Sequence, residues 1–338
     1  MEEEAKKNDI SRQSLSETKI VGKKKKISLL SVAVYTLCIL YLITVVVSVK
    51  IVLKKPQVSI GSKITKTIIR SVKGEIVVVP IYGVIYKRLT TFSNRGSDYV
   101  VSVLKKYAED KDVKAFVLDI NSPGGSVGAV QEIYSMLLKI KGKYKKPVIA
   151  HLGDVAASGG YYIACAADKI YSNSGSLTGS IGVMFSTMEG EELFKKIGIR
   201  SNTIKSGRFK DIGSFSRQMT KEEKRLLEDI INDTYSVFVD VVSKGRKMSY
   251  DKAKELSDGR IFTGNQALSN GLVDAIGDLD DAIREAAMLC GLGEDFSVIR
   301  ARGDLIDEIF IGIDSMFGFL KLFSLSKDMP LIEYRFAI

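Results

Sequence analysis

Apolar runs and polar breaks divide the 338-residue chain into unlike parts. Residues 27–49 carry no charged side chain over 23 positions. As a helix they span about 34 Å, against about 30 Å of bilayer hydrocarbon, so a permanent membrane anchor is expected. The run is too long for the apolar region of a cleaved leader, and no A-x-A site follows it. From Glu75 onward short apolar runs alternate with helical spacings. Residues 76–80, 115–120, 148–152 and 169–171 read as buried strands, and residues 97–110, 127–141 and 158–167 as helices. This alternation predicts an α/β fold, a mostly parallel sheet with helices on its faces. A further strand is expected over 200–204. Residues 220–246 then keep Leu227, Ile230, Val237, Phe238 and Val241 at helical spacing, with Thr220 and Glu223 placed as a capping box. Shorter helices are expected over 249–257, 265–270 and 278–290.

The predicted organisation is a cytoplasmic basic tail (1–26), a transmembrane anchor (27–49), a linker rich in β-branched residues (50–73), a folded domain (74–300) and an apolar, aromatic C-terminal extension (301–338). The extension is expected to pack on the domain. The polar residues 1–22 lack the apolar content for a core.

Charge changes the picture in one respect. The net charge of +10 suggests a nucleic-acid partner, but residues 1–73 hold 15 Lys/Arg and 5 Asp/Glu, which leaves 35 of each sign beyond them. An excess confined to the flanks of an apolar span reads as membrane-flanking lysine, and no nucleic-acid partner is expected. Seven basic residues lie within 20 positions before the span and five after it, which favours a cytoplasmic N-terminus and a domain on the extracytoplasmic side. Three scattered cysteines, Cys38, Cys165 and Cys290, make neither a disulfide framework nor a zinc site. No cofactor and no metal are implied.

The only histidine, His151, sits on a predicted strand seven residues before Ser158. An extended strand holds the two roughly 20 Å apart, so His151 reads as a strand residue without a catalytic role. Three glycine-rich segments remain: 121–126 (Asn-Ser-Pro-Gly-Gly-Ser), 156–162 (Ala-Ala-Ser-Gly-Gly-Tyr-Tyr) and 178–182 (Thr-Gly-Ser-Ile-Gly). The first two run from strand to helix. Glycines there let backbone N–H groups approach a bound group, and a helix N-terminus adds unsatisfied donors. Two such turns side by side at parallel strand ends would form an oxyanion hole. Singly, each is an ordinary turn or helix cap. A serine without histidine needs another base, and a lysine serves when its pKa is lowered toward neutrality. Residues 205–214 are the best region for it, and the residues alone leave Lys205 and Lys210 both open.

In the combination of residues 120–127, 154–164, 177–183 and 205–211 the chain resembles the signal peptide peptidase family of the SppA or protease IV type, over residues 75–300. The resemblance implies a fold like the Clp protease subunit and the crotonases. It implies Ser158 as nucleophile, Lys210 as general base, and Ser180 as the serine that orients the lysine. Gly159 with Gly124 or Gly125 would supply the oxyanion donors. The substrates implied are apolar extended peptides such as signal peptide remnants, cut through an acyl-enzyme beside membrane lipid. The short form of the family implies a homo-oligomer, an octamer, with sites built between neighbouring subunits. Three other readings are a Ser–Lys protease acting on specific membrane proteins, a crotonase-like acyl-CoA enzyme, and a membrane scaffold with an inactive protease fold.

Overall fold

Strands β1 (Gly74–Tyr82), β2 (Val113–Ser122) and β4 (Val148–Ala157) lie side by side and parallel in the order β1-β2-β4. The computed structural model describes residues 73–87 and 96–301, the backbone of 333–335, and isolated helical positions at 36, 39–41 and 43. The expected tail, all of the anchor but those isolated positions, the linker up to residue 72, and most of the C-terminal extension lie outside the described residues. Among the described residues no helix is long and apolar enough to cross a membrane. The chain divides into two compact units, Met1–Ile68 and Ile69–Ile338, and all described strands belong to the second.

Alternate residues of β1 and β2 feed opposite faces, which is why both read as unbroken apolar runs. Val77, Val79, Phe116 and Leu118 join one core with the helices α1 (Ser97–Glu109), α2 (Val127–Lys139) and α3 (Gly159–Ala164). Ile76, Val78, Ala115, Val117 and Ile149 pack on the other side against Ala282, Ile283 and Ala286. Each fully buried Ile, Leu or Phe contributes about 1.5–3 kcal/mol. The sheet is therefore sandwiched between helical layers and mostly parallel, as the alternation predicts.

Strand β4 changes partner along its length. Residues Ile149 to Leu152 pair with β5 (Lys169–Ser172), whereas Val155 to Ala157 pair with β6 (Leu177–Gly179). The change coincides with a register shift against β2, where Ile120 faces Leu152 but Ser122 faces Ala156. Such a bulge bends a strand and re-aims its end, here the end that carries Ser158. The Asn121 side chain accepts from the Val155 N–H at 3.1 Å and holds the bent segment.

The remaining elements complete the unit. Strand β3 (Gly124–Ser126) follows β2 directly, and the short helix α4 (Glu191–Lys196) lies in the segment after β6. Helix α5 (Lys221–Gly245) begins at a Thr220–Glu223 capping box, as expected. Helices α6 (Tyr250–Glu255), α7 (Gly264–Ser269) and α8 (Leu279–Leu289) follow, with Ser249, Thr263 and Asp278 as caps. Strands β7 (Ile261–Thr263), β8 (Ala275–Ile276) and β9 (Phe296–Arg300) extend the sheet, β7 antiparallel to β6 and the others parallel to their neighbours. Strand β10 (Glu333–Arg335) runs antiparallel to β3. One expectation fails. Residues 200–204 form no strand but an irregular, exposed stretch, because no neighbouring strand pairs with them.

Candidate active site

Ser158 stands between the end of β4 and the first residue of α3, with φ 52° and ψ −115°. Positive φ is costly for a side chain with a Cβ and persists only where the surroundings enforce it. Here they do. The Ser158 N–H donates to Gly179 O at 2.8 Å, and the Ser158 carbonyl accepts from the Tyr162 N–H at 2.8 Å. Below the turn, the buried Tyr161 hydroxyl donates to Leu272 O at 2.7 Å. The Tyr162 ring meets Tyr134 edge-on and leans on Phe238, each at 5.0 Å between centroids. Helix α3 is thereby fixed, and with it the serine, which is 1% exposed.

Two glycine positions permit this packing. A Cβ on Gly160 would lie 2.9 Å from the Ser122 carbonyl oxygen, so only glycine lets α3 sit against the end of β2. A Cβ on Gly125 would collide with the backbone of Ile85. Ile85 bridges to Gly125, its N–H donating to Gly124 O and its carbonyl accepting from the Ser126 N–H, both at 2.8 Å. Because β2 and β4 are parallel neighbours, the turns after them lie side by side. This is where open α/β sheets place their ligands.

The N–H of Gly159 opens α3 and has no partner within the helix. Gly124, at φ 101°, donates its N–H to Ser122 Oγ at 3.1 Å, so that donor is already engaged. Gly125 pairs in register with Tyr334 of β10 along the edge of β3 away from Ile85. That edge of β3 thus carries an extended antiparallel strand.

Ser180 follows β6, also with positive φ (47°), and its N–H donates to Arg260 O at 2.8 Å. It is 9% exposed. Lys210 lies instead in the irregular segment between α4 and α5 and is exposed. Among the described residues no side-chain hydrogen bond or ion pair joins Lys210 to Ser158, to Ser180 or to any other group. Within one protomer the structure brings together Ser158, Ser180, Gly124, Gly125 and Gly159, but not Lys210. The two candidate lysines differ in their surroundings. Lys205 Nζ is committed to Asp211 Oδ1 at 2.5 Å and to Arg208 O at 3.0 Å.

His151 holds Asp119 on the neighbouring strand, Nδ1 to Oδ1 at 3.0 Å, and Tyr82 donates to the other oxygen of the same carboxylate. Burial works to raise the Asp119 pKa. The hydrogen bonds from His151 and Tyr82 outweigh it, and the pKa is lowered. Strand β4 continues unbroken from His151 to Ala157, so no loop folds the imidazole back to Ser158. Cys165 and Cys290 are free thiols, and burial pushes Cys165 up to about 12. Among the described residues no cluster of three or more His, Cys, Asp or Glu could hold a metal.

The sequence profile of Peptidase family S49 matches residues 141–293, and that of the NfeD1b N-terminal domain matches residues 75–197. A putative protease from Synechocystis sp. is 46% identical over 196 residues, covering 57% of this chain and 70% of that protein. A putative signal peptide peptidase SppA from Enterococcus faecium is 44% identical over 180 residues, 53% of this chain and 52% of its own length. Protease 4 of Haemophilus influenzae is 36% identical over 230 residues, 68% of this chain and 37% of that protein. The chain thus spans only part of each of these curated relatives. The matches define the class, a serine peptidase on a mixed α/β scaffold. The chain belongs to peptidase family S49, the family of signal peptide peptidase SppA and protease 4.

Proposed function

We propose that the protein is a membrane-anchored endopeptidase in which Ser158 is the nucleophile and Lys210 the general base. The observation that carries this reading is the buried, positive-φ Ser158 at the β4–α3 turn, directly beside the Gly124–Gly125 turn. Neutral Lys210 Nζ takes the proton from Ser158 Oγ. The oxygen attacks a peptide carbonyl, and the N–H groups of Gly159 and of Gly124 or Gly125 receive the charge that develops on the carbonyl oxygen. Collapse expels the amine, which takes up a proton, and leaves an acyl group on Ser158 that water then removes. One oxyanion donor of this kind is worth about 3 kcal/mol of barrier. Ser180 hydrogen-bonds and orients the lysine. The resemblance to the Clp protease and crotonase architecture fits this arrangement, because that fold also builds oxyanion holes from such turns.

The lysine comes from a second copy. The stretch from Met188 to Lys210 exposes Met188, Leu193, Ile197 and Ile204, apolar surface of the kind that subunit interfaces cover. A closed ring, an octamer as in the short family form, would seat each Lys210 at a neighbour's Ser158. The substrates are extended apolar peptides such as signal peptide remnants. The antiparallel strand on the β3 edge supports this, since a substrate would bind by the same edge addition. The span at residues 27–49 anchors the enzyme beside such substrates, with the catalytic unit on the extracytoplasmic side.

The test is hydrolysis of an apolar fluorogenic peptide by the full chain in detergent, beside Ser158→Ala and Lys210→Ala. Both variants should be inactive while folded, and mixing the two dead proteins should restore part of the activity across mixed interfaces. A Lys210→Ala protein that still cleaves removes the lysine from the mechanism. A wild type that neither cleaves nor takes a serine-directed probe returns the acyl-CoA and scaffold readings. Cleavage confined to particular membrane proteins favours the narrower protease.

A further inference from the structure

The carboxylate next to Lys210 in the chain, Asp211, is bound into a compact charge cluster. Arg217 grips Asp211 with two bonds, Nε to Oδ2 at 2.9 Å and Nη2 to Oδ1 at 2.8 Å. It grips Glu223 with two more, Nη1 to Oε2 at 2.9 Å and Nη2 to Oε1 at 2.5 Å. Lys205 closes on the same Asp211 Oδ1 at 2.5 Å. Glu223 is the third residue of α5, its side chain 3% exposed, and it also accepts from the Thr220 N–H at 2.8 Å. The guanidinium is thus pinned to a helix start, and Asp211 is pinned to the guanidinium. Bidentate carboxylate pairing of this kind is specific to arginine's planar fork. Hydrogen bonds from Arg217 first and Lys205 second hold the Asp211 carboxyl well below the usual carboxylate range. Glu223 is lowered to about 2, by Arg217 first and the Thr220 backbone second.

Two cations and two carboxylates make the cluster neutral. Of the other charges nearby, Arg208 pairs with Glu222, and Glu191 takes Lys195 and the Gln218 N–H. Among the described residues none of these comes within ion-pair reach of Lys210. A lysine that must be neutral to act as a base is poorly served by an adjacent free carboxylate. An opposite charge within about 4–6 Å favours the protonated form by about 1–3 pKa units. Lys210 and Asp211 sit together in an irregular turn, where a flexible lysine can reach its neighbour.

We propose that Arg217, assisted by Lys205, is a positioning residue for the lysine base: it occupies both oxygens of Asp211 and so denies Lys210 the neighbouring carboxylate that would hold its proton. The proposal rests on the assignment of Lys210 as base made above. Arg217 touches neither substrate nor reacting atoms in this scheme.

The experiment is the pH profile of kcat/KM from pH 6 to 10 for the full chain in detergent on the apolar fluorogenic peptide. Arg217→Met should move the acid limb upward by about one pH unit and cut activity at pH 7 about tenfold, with activity approaching wild type at high pH. Because Arg217→Met strands a buried Glu223, the pair Arg217→Met with Glu223→Gln removes that orphan charge and should give the same shift. Lys205→Met should move the limb in the same direction by less. Adding Asp211→Asn to Arg217→Met should return the limb to its wild-type position, a rescue that a purely structural role for Arg217 would not produce. A loss equal at all pH values, an unmoved limb in all three variants, or no rescue by Asp211→Asn overturns the proposal while Lys210→Ala remains inactive. If Lys210→Ala is itself active, the base assignment fails first, and this proposal falls with it.

Discussion

The backbone N–H of Ser158 donates to the carbonyl of Gly179 at 2.8 Å, so the residue that follows β4 is tied to the residue that precedes Ser180. Both serines take positive φ, 52° and 47°. One rung between β4 and β6 therefore sets two strained turns at once, and neither can relax without the other.

That strain has a measurable signature. Ser158→Gly relieves positive φ at no steric cost, whereas Ser158→Ala keeps it. Strain of this kind is worth about 1–3 kcal/mol. Both variants should lose peptide hydrolysis, but the glycine variant should melt a few degrees above the alanine variant. Calorimetry on the two proteins decides it, and equal Tm values would show that the turn stores no strain.

Gly160→Ala should act in the opposite direction. The new Cβ would lie 2.9 Å from the Ser122 carbonyl, a backbone atom that cannot swing aside. Helix α3 must then shift from β2, carrying Ser158 and the Gly159 donor with it. We expect a loss of stability of about 1–3 kcal/mol and a fall in kcat of at least about tenfold, since a displaced oxyanion donor is costly. Gly128→Ala, inside α2 where a Cβ meets nothing within 4 Å, is the control that should leave kcat unchanged and stability no lower.

How far the sequence foretells this site depends on what each residue answers to. Strands β1, β2 and β4 are legible because both their faces are buried, which forces continuous apolar runs. Strands β6, β7 and β8 are two or three residues each, and only their pairing partners make them strands. The same logic explains the failure at 200–204, where local composition suits a strand but nothing lies alongside. The Ser158 and Gly124–Gly125 turns are legible only in combination, since each alone is an ordinary turn or helix cap. The choice of Lys210 over Lys205 is not, since both are lysines in one loop. The Arg217 cluster has no sequence signal beyond its charges, because its geometry comes from the start of α5.

Thiol reagents should leave the enzyme active. Cys165 is 3% exposed and burial pushes its thiol to about 12, so almost no thiolate exists at neutral pH. Cys290 is raised in the same way by burial. Iodoacetamide on the native protein at pH 7.5 should spare Cys165 by mass spectrometry and leave peptide cleavage intact. Inhibition that tracks modification of Cys165 would contradict the burial described here.

Acid sensitivity should trace in part to Asp274. Arg246, at the end of α5, donates to it twice, Nη2 to Oδ1 at 2.7 Å and Nη1 to Oδ2 at 2.9 Å, and the Ile170 N–H donates at 2.7 Å. Burial, the largest single influence, raises the Asp274 carboxyl, but the bonds and charge of Arg246 together with the Ile170 N–H outweigh it, and the pKa is lowered. A carboxyl whose folded pKa lies below its unfolded value of about 3.9 stabilises the fold above that value. The contribution is lost as pH falls from about 4 through the lower folded pKa. Asp274→Asn removes the carboxylate and leaves Arg246, its side chain 6% exposed, without its counter-charge. The cost at pH 7 should be about 2 kcal/mol, less than the about 3–5 of a fully buried pair because a third of Asp274 faces solvent. The variant should therefore be clearly weaker in urea at pH 7, and the gap should narrow below about pH 4. A gap that stays constant down to pH 3 would mean that the ion pair contributes nothing that depends on the ionisation of Asp274.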